Sequence, residues 1–221
     1  KKVNSNVPVV YVDWNFDIKI DDNIKNEIKK LKEQRIGLIC SVQYLDSLSI
    51  LEEKLKESGK TVVIGGHVLG CWYENINKIE NLVDCFVFVG SGEFHPLGIR
   101  SAKPLYFLDI ENDQLREMSD DIMKQEKIRL GKIMKAKDAG SFGILVSSKS
   151  GQFDMKNAEY AKKELERKDK KAFILIMDEI ENENMIGMGF DAFINTACPR
   201  IIYDKFDKPI LNVDDIAELF E

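Results

Sequence analysis

Short runs of β-branched and aromatic residues alternate with charged amphipathic stretches along the whole chain, and this alternation constrains the fold most. The apolar runs are bounded by Gly, Asn, Asp or Pro, which is typical of strands buried on both faces of a sheet. The charged stretches carry their apolar residues at helical spacing. Strand–helix–strand alternation predicts parallel sheets that are covered by helices.

The predicted strands are Val7–Val12, Ile36–Val42, Thr61–Gly65, Cys85–Gly90, Leu105–Leu108, Phe142–Ser147, Ala172–Met177, Ala192–Thr196 and a weaker Pro209–Asn212. The predicted helices are Asn23–Gln34, Leu45–Ser58, Met118–Lys137, Met155–Lys168 and Asp214–Phe220. The long charged helix divides the chain, because a complete α/β set precedes it and a second set begins at Gly140. We therefore predict an α/β fold of two similar three-layer domains with parallel sheets, residues 7–112 and 113–221, each of about 100 residues.

Composition narrows the class of protein. The 221 residues are 44% hydrophobic and 32% charged, as in an ordinary globular protein. A net charge of −6 argues against a nucleic-acid binder that relies on a broad basic face. No apolar run approaches the ~20 residues that span a bilayer, and no signal-peptide pattern is present. Four cysteines do not indicate a secreted disulfide scaffold, so we expect a cytoplasmic protein with reduced thiols.

Two of the four cysteines follow predicted strands, and two lie inside them. Cys40 and Cys85 lie within apolar runs, where a cysteine is usually a small core residue. Cys71 and Cys198 come just after strands, where ligands collect in open α/β sheets. Position alone leaves a ligand-binding and a structural interpretation of these two equally weighted. Because the chain has no Cys-x-x-Cys pair, a metal site would need cysteines that are distant in sequence.

A glycine-rich loop follows the predicted strand Cys85–Gly90. Its Gly90-Ser91-Gly92 segment could present backbone N–H groups to a carboxylate or phosphate. Glu93 and His95 could act as acid, base or hydrogen-bonding anchor. The alternative interpretation is a helix-start turn that Glu93 caps.

The second half of the chain repeats this arrangement after strand Phe142–Ser147. In the segment Ser147–Gln152, the hydroxyl groups, Lys149 and Gln152 could hold an amino-acid carboxylate or a ribose, or the segment could be a polar loop with helix caps. Arg200 follows Cys198 and Pro199, where it could bind a carboxylate with two hydrogen bonds or pair with a surface acid.

Five segments together resemble one family, the archaeal diphthamide-biosynthesis radical enzymes, or 2-(3-amino-3-carboxypropyl)histidine synthases. These segments are Gly65–Cys71, Gly90–Gly98, Ser147–Gln152, Asn195–Arg200 and Lys208–Leu211. The resemblance implies three similar α/β domains, each of which supplies one cysteine to a 4Fe–4S cluster. The resemblance further implies that one iron of the cluster stays open for S-adenosylmethionine.

The resemblance also assigns residues. Cys71 and Cys198 match the second and third cluster ligands, and the first would belong to an N-terminal domain that this chain is expected to lack. Val7–Val12 would begin the middle domain. The chain opens at Lys1 without an initiator methionine, which indicates part of a longer polypeptide or a processed terminus. The residues expected to hold S-adenosylmethionine are Gly66, Gly90, Ser91, Gly92, Glu93, His95, Ser150, Gly151, Gln152 and Arg200.

The implied activity is transfer of a 3-amino-3-carboxypropyl group to a histidine of translation elongation factor 2, the first step of diphthamide formation. The by-product would be 5′-methylthioadenosine, the assembly a homodimer, and an electron donor would be a further partner. Neither a membrane nor nucleic acid is an expected partner. Two other classes stay open: a non-catalytic subunit that supports cluster reduction, and a small-molecule-binding α/β module with incidental cysteines.

Overall fold

The computed structural model describes residues 7–10, 12, 14–16, 18 and 20–221 of the chain. Internal contacts separate a first unit, residues 10–123, from a second unit, residues 124–221 together with 7–9. The division that we drew from the sequence, between residues 112 and 113, remains a proposal.

The first unit holds a five-stranded sheet in the order β2-β1-β3-β4-β5. The first four strands in this order are parallel, and β5 pairs antiparallel with β4. Its strands are β1 (Arg35–Cys40), β2 (Thr61–His67), β3 (Cys85–Gly90), β4 (Leu105–Asp109) and β5 (Gln114–Glu117), and its helices are α1 (Asp22–Ile28), α2 (Leu48–Glu57) and α3 (Glu74–Ile79). The next helix, α4 (Ser119–Ala136), contains the point of division.

Helices cover both faces of this sheet, because successive side chains of a buried strand point to opposite faces. On one face, Leu38 and Val87 belong to a buried cluster with Leu51 of α2. On the other face, Phe88 belongs to a separate cluster with Ile76 of α3. The continuous apolar runs of the central strands are explained by this burial on two sides.

The second unit holds a four-stranded, fully parallel sheet in the order β7-β6-β8-β9. Its strands are β6 (Ser141–Ser147), β7 (Lys171–Met177), β8 (Ala192–Asn195) and β9 (Ile210–Asn212), and its helices are α5 (Met155–Glu166), α6 (Asn182–Met185) and α7 (Ile216–Leu219). Ile144 packs with Leu165 of α5 on one face, while Phe193 packs with Met185 of α6 on the other. The prediction of two similar α/β units with parallel sheets is confirmed.

In both units the strand order reverses beside the first strand, between β1 and β3 and between β6 and β8. Ligands of open α/β sheets bind at such switch points, outside the carboxyl ends of the strands. Cys198 follows β8 and therefore lies at a switch point, whereas Cys71 follows the edge strand β2.

Two sequence predictions about strands were wrong. The described residues of Val7–Val12 form no strand and are exposed, with Val10 at 83%, and position 11 lies outside the described residues. A β-branched run favours a strand only where a neighbouring strand supplies hydrogen bonds. The runs in β2 and β7 do form strands, but as half-exposed sheet edges, with Ile64 at 44% and Ile176 at 58%.

Candidate functional site

Cys71 lies at the tip of a tight turn after β2. Leu69 and Trp72 form an isolated antiparallel bridge, in which each backbone N–H donates to the other's carbonyl, at 2.8 and 3.1 Å. Gly70 and Cys71 are the two residues between them, and Cys71 is exposed. The indole of Trp72 packs against the ring of His67 at 5.5 Å between centroids, so His67 is a packing residue of this turn.

Gly66 redirects the chain from β2 into this turn. Its φ of +77° lies in the left-handed region, which favours glycine because a Cβ is disfavoured there. The next residue, His67, accepts a hydrogen bond at its carbonyl oxygen from the side-chain amide of Asn75, at 3.0 Å. Gly66 thus has a local structural role, and its predicted contact with a cofactor stays a prediction.

The loop after β3 differs from the expected helix start. It ends in a single 3₁₀ turn, Pro96–Gly98, without an α-helix. Because no α-helix follows, this segment has no helix N-terminus that would favour an anion. Ser91 and Gly92 are exposed on the loop. The carboxylate of Glu93 pairs with Arg116 at 2.5 Å, and the interpretation of Glu93 as a helix cap was wrong.

His95 connects this loop to the turn that carries Cys71. The backbone N–H of Gly70 donates to Nδ1 of His95 at 3.2 Å. The ring packs edge-on against Phe94 at 5.3 Å and lies 6.5 Å from the ring of Phe88. Burial lowers the pKa of His95. Of the predicted site residues in the first unit, His95 is therefore the one tied to the Cys71 turn by a hydrogen bond.

Cys198 lines an open cavity of about 270 Å³ in the second unit. The loop after β6 contributes Ser147, Lys149 and Gln152 to the same cavity, and residues after β7 close another side. Two segments that the sequence singled out separately thus meet at the carboxyl edge of one sheet. Ser150 and Gly151 are exposed in the same loop, outside the cavity lining.

This cavity is acidic. Asp178, Glu179, Glu181 and Asp204 line it, against the single lysine Lys149. The lysine ammonium is paired with Glu179 at 2.8 Å. A concave surface with excess negative charge favours a positively charged ligand group, so the geometry does not favour our expectation that Lys149 holds a carboxylate.

Two buried asparagines hold the loop that carries Cys198. Asn195 and Asn212 are opposite each other in the register of β8 and β9, and Asn195 donates to Asn212 at 2.9 Å. Asn195 also donates to the carbonyl oxygen of Cys198 at 2.9 Å, and Asn212 donates to that of Pro199 at 3.2 Å. Neither asparagine was among the predicted site residues. The sequence feature that could have identified them is the polar residue with which each of these two apolar strands ends.

Arg200 lies near the cavity in sequence but is not among its lining residues. Its guanidinium lies over the ring of Tyr203 at 4.6 Å, and Nη1 donates to Gln125 at 3.4 Å. These contacts explain its position without a bound carboxylate.

The other two cysteines are core residues. Cys40 and Cys85 are fully buried in β1 and β3, and burial raises the pKa of each thiol to about 12. Such thiols stay protonated at neutral pH and are poor ligands and nucleophiles.

Within the described ranges, no three His, Cys, Asp or Glu side chains come together as a metal site. In this part of the chain, neither Cys71 nor Cys198 belongs to a group of three such side chains. Among the same residues, no helix has the length and apolarity to cross a bilayer.

Comparison with known proteins identifies relatives of the whole chain. The family model "Putative diphthamide synthesis protein" matches residues 1–220. The 2-(3-amino-3-carboxypropyl)histidine synthase of Pyrococcus horikoshii is 28% identical over 99% of this chain and 67% of its own length. Subunit 1 of the synthase of the same name from Caenorhabditis elegans is 27% identical over 96% of this chain and 57% of its own length.

Solved structures with a similar fold come from the same kind of protein. The crystal structure of Dph2 from Pyrococcus horikoshii superposes with a TM-score of 0.80 at 28% identity, covering 91% of this chain and 62% of that one. The structure of the same protein with a 4Fe-4S cluster gives a TM-score of 0.77 at 30% identity, over 88% and 59%. The chain spans between about half and two thirds of the length of such relatives. With a family model matched from end to end and the same α/β units, this chain belongs to the diphthamide synthesis protein family.

Proposed function

We propose that this chain is part of an enzyme that transfers the 3-amino-3-carboxypropyl group of S-adenosylmethionine to a histidine of translation elongation factor 2. The observation that carries the proposal is the meeting of Cys198 with the Ser147–Gln152 loop in one cavity, in a chain whose relatives are named for this histidine product. By the same resemblance we propose a homodimer, a separate electron donor and a cytoplasmic location.

Two of the four thiols suit the role of 4Fe–4S cluster ligands. Iron–sulfur clusters are held by cysteine thiolates, which requires cysteines outside the core. Cys71 is exposed at a turn and Cys198 is half-buried in a cavity wall, while the two other cysteines are enclosed in strands. Cys71 and Cys198 would therefore be two of the cluster ligands. A Dph2 relative with a 4Fe-4S cluster supports this assignment.

The chemistry that the cluster supplies when bound is one electron to the sulfonium, whose carbon–sulfur bond then breaks to give 5′-methylthioadenosine and a 3-amino-3-carboxypropyl radical. The protein's own contribution is to bind and orient the substrate. S-adenosylmethionine carries positive charge on its sulfonium and on its amino group, and Asp178, Glu181 and Asp204 provide the complementary negative charge in the cavity. Gln152 lines the same cavity with an uncharged donor and acceptor.

Anaerobic reconstitution of the complete gene product with iron and sulfide tests the ligands. We expect a charge-transfer absorption at about 400 nm, typical of iron–sulfur centres, that is lost in the Cys71→Ala, Cys198→Ala double variant. Cys40→Ala is the matched control, because it removes a thiol that the fold buries. An unchanged iron content in the double variant would contradict the assignment of these ligands.

The activity is tested with S-adenosylmethionine labelled in its aminocarboxypropyl group, elongation factor 2 and a chemical reductant. Transfer of label to the protein substrate is the expected outcome. Intact cluster binding without any label transfer would instead indicate a subunit that only supports cluster reduction.

A further inference from the structure

We propose that His95 is a positioning residue: its Nδ1 holds the backbone of the turn that carries Cys71, and this contact is needed for Cys71 to retain iron. The contact between His95 and Gly70 lies within the first unit and involves no cofactor. The second half of the inference rests on the proposed function, because it requires Cys71 to be a cluster ligand.

The hydrogen bond defines the state of the imidazole. Gly70 donates its N–H to Nδ1 of His95 at 3.2 Å, and a nitrogen that accepts a hydrogen bond carries no proton. The ring proton must therefore be on Nε2. Because Nδ1 is engaged by Gly70, only Nε2 of His95 could make the cofactor contact that the sequence predicted.

The position of His95 is itself constrained. Its ring is packed edge-on against Phe94. Three residues further on, Gly98 lies against Gly70 so closely that a Cβ at Gly98 would be 2.3 Å from the carbonyl oxygen of Gly70. The loop after β3 thus contacts the Cys71 turn through the imidazole of His95 and through the backbone of Gly98. Both contacts fall on Gly70, the residue directly before the cysteine.

The hydrogen bonds within the turn hold its ends and not its tip. Its two bridging hydrogen bonds join Leu69 to Trp72 and leave the tip residues outside the bridge. Glycine has more backbone freedom than any other residue, so the orientation of the Gly70 N–H depends on contacts from outside the turn, of which the hydrogen bond to His95 is one. Partners that orient a metal ligand without touching the metal typically change affinity by about 10–100-fold when removed. His95 occupies such a place relative to Cys71.

Two substitutions separate the hydrogen bond from the packing. His95→Asn can place its amide oxygen near the position of Nδ1 and accept from Gly70, whereas His95→Phe fills the ring volume without an acceptor. Thermal unfolding of both variants verifies that they fold. In the chain itself, we expect hydrogen exchange of the Gly70 amide, followed by NMR, to be about fivefold faster in His95→Phe, the effect of one hydrogen bond. His95→Asn should exchange like the unsubstituted chain.

The second measurement uses the complete gene product after anaerobic reconstitution. We expect iron retained on gel filtration to fall in His95→Phe, with an affinity reduced by about 10-fold or more, and to recover in His95→Asn. The electron paramagnetic resonance spectrum of the reduced protein should change only in the phenylalanine variant.

The results of these measurements separate the role of His95 from the role of Cys71 as a cluster ligand. Equal Gly70 exchange in His95→Phe and the unsubstituted chain would overturn the hydrogen-bond role. Iron that depends on Cys71 yet is unaffected by His95→Phe would overturn the positioning role while the proposed function stands. If Cys71→Ala retains as much iron as the unsubstituted protein, the proposed ligand fails, and the iron half of the inference fails with it.

Discussion

Gly98 and Gly70 lie in direct backbone contact: a Cβ built on Gly98 would be 2.3 Å from the carbonyl oxygen of Gly70 and 2.7 Å from its Cα. The two residues belong to loops that follow β3 and β2, strands that both pair with β1. Close backbone approach of this kind requires glycine, because any side chain would separate the loops. The loop after β3 is thereby packed against the turn that carries Cys71.

Gly98→Ala should therefore destabilise the protein by about 1–3 kcal/mol, as overpacking does, and displace the Cys71 turn. Chemical denaturation measures the first effect, and NMR shifts of the Gly70 and Cys71 amides the second. Gly131→Ala is the matched control, since Gly131 lies in α4 with nothing within 4 Å of an added Cβ. That change should stabilise the helix by up to about 1 kcal/mol. Equal effects of the two substitutions would contradict the close contact.

The four cysteines should separate into two classes by reactivity. Under native conditions at about pH 8, iodoacetamide should modify Cys71 and Cys198, because thiolate formation and exposure control the rate. Cys40 and Cys85 should react only after denaturation, since they are fully buried and the pKa of each is raised to about 12. Peptide mass mapping of the labelled protein identifies the sites. Native labelling of either buried cysteine would show that the first sheet opens more readily than its packing indicates.

Removing the buried charge of Arg129 should be costly. Its guanidinium pairs with Asp215, whose side chain is only 1% exposed, and with Glu218 of the last helix. Arg129→Met leaves the carboxylate of Asp215 buried without its cation, which typically costs about 3–5 kcal/mol of the free energy of unfolding. Urea denaturation measures the loss.

Arg167→Met is the control for Arg129→Met. Both arginines pair with a glutamate three residues earlier, but the side chain of Arg167 is 71% exposed. Exposed pairs contribute about 0–1 kcal/mol. A comparable loss in both variants would mean that the buried pair with Asp215 contributes little.

The pair of Arg35 and Asp84 should make stability depend on acid pH. Hydrogen bonds from Arg35 lower the pKa of Asp84 to about 2. Because the folded pKa lies below the unfolded value of about 4, the stabilisation is present above that value and is lost as the pH falls from about 4 to about 2. Asp84→Asn should lower stability at pH 7 and flatten the decline in this window, measured by denaturation at a series of pH values. Asp138→Asn, at an exposed position, controls for the loss of one carboxyl group, and equal profiles for the two variants would refute the assignment.

Much of the fold followed from local patterns. The apolar run Cys85–Gly90 is β3 to the residue, and the run predicted as Phe142–Ser147 begins one residue earlier, at Ser141. These strands lie in sheet centres, where burial on both faces leaves a continuous apolar signal in the sequence. The short strand Gln114–Glu117 carried no such signal, because it is an antiparallel edge that buries little of its surface.

The candidate site was predictable in its parts but not in its connections. Cys71, Cys198 and the Ser147–Gln152 loop could be singled out because each follows an apolar run. The bond from Gly70 to His95 joins residues 25 positions apart, and the cavity joins Gln152 to Cys198, which are 46 positions apart. No local pattern records such proximity, since it depends on which strands become neighbours.

The sequence by itself determined the class of fold, the central strands, the family and the two cysteines that lie outside the core, because periodicity, glycine-rich loops and motif order are local properties. The tertiary structure decided the rest. Strand order turned β2 and β7 into edges. Packing between loops turned His95 towards Gly70 and set the Asn195–Asn212 pair beneath Cys198. The physical reason is that hydrogen bonds and close contacts between distant segments exist only after the strands have paired and the sheet has been covered.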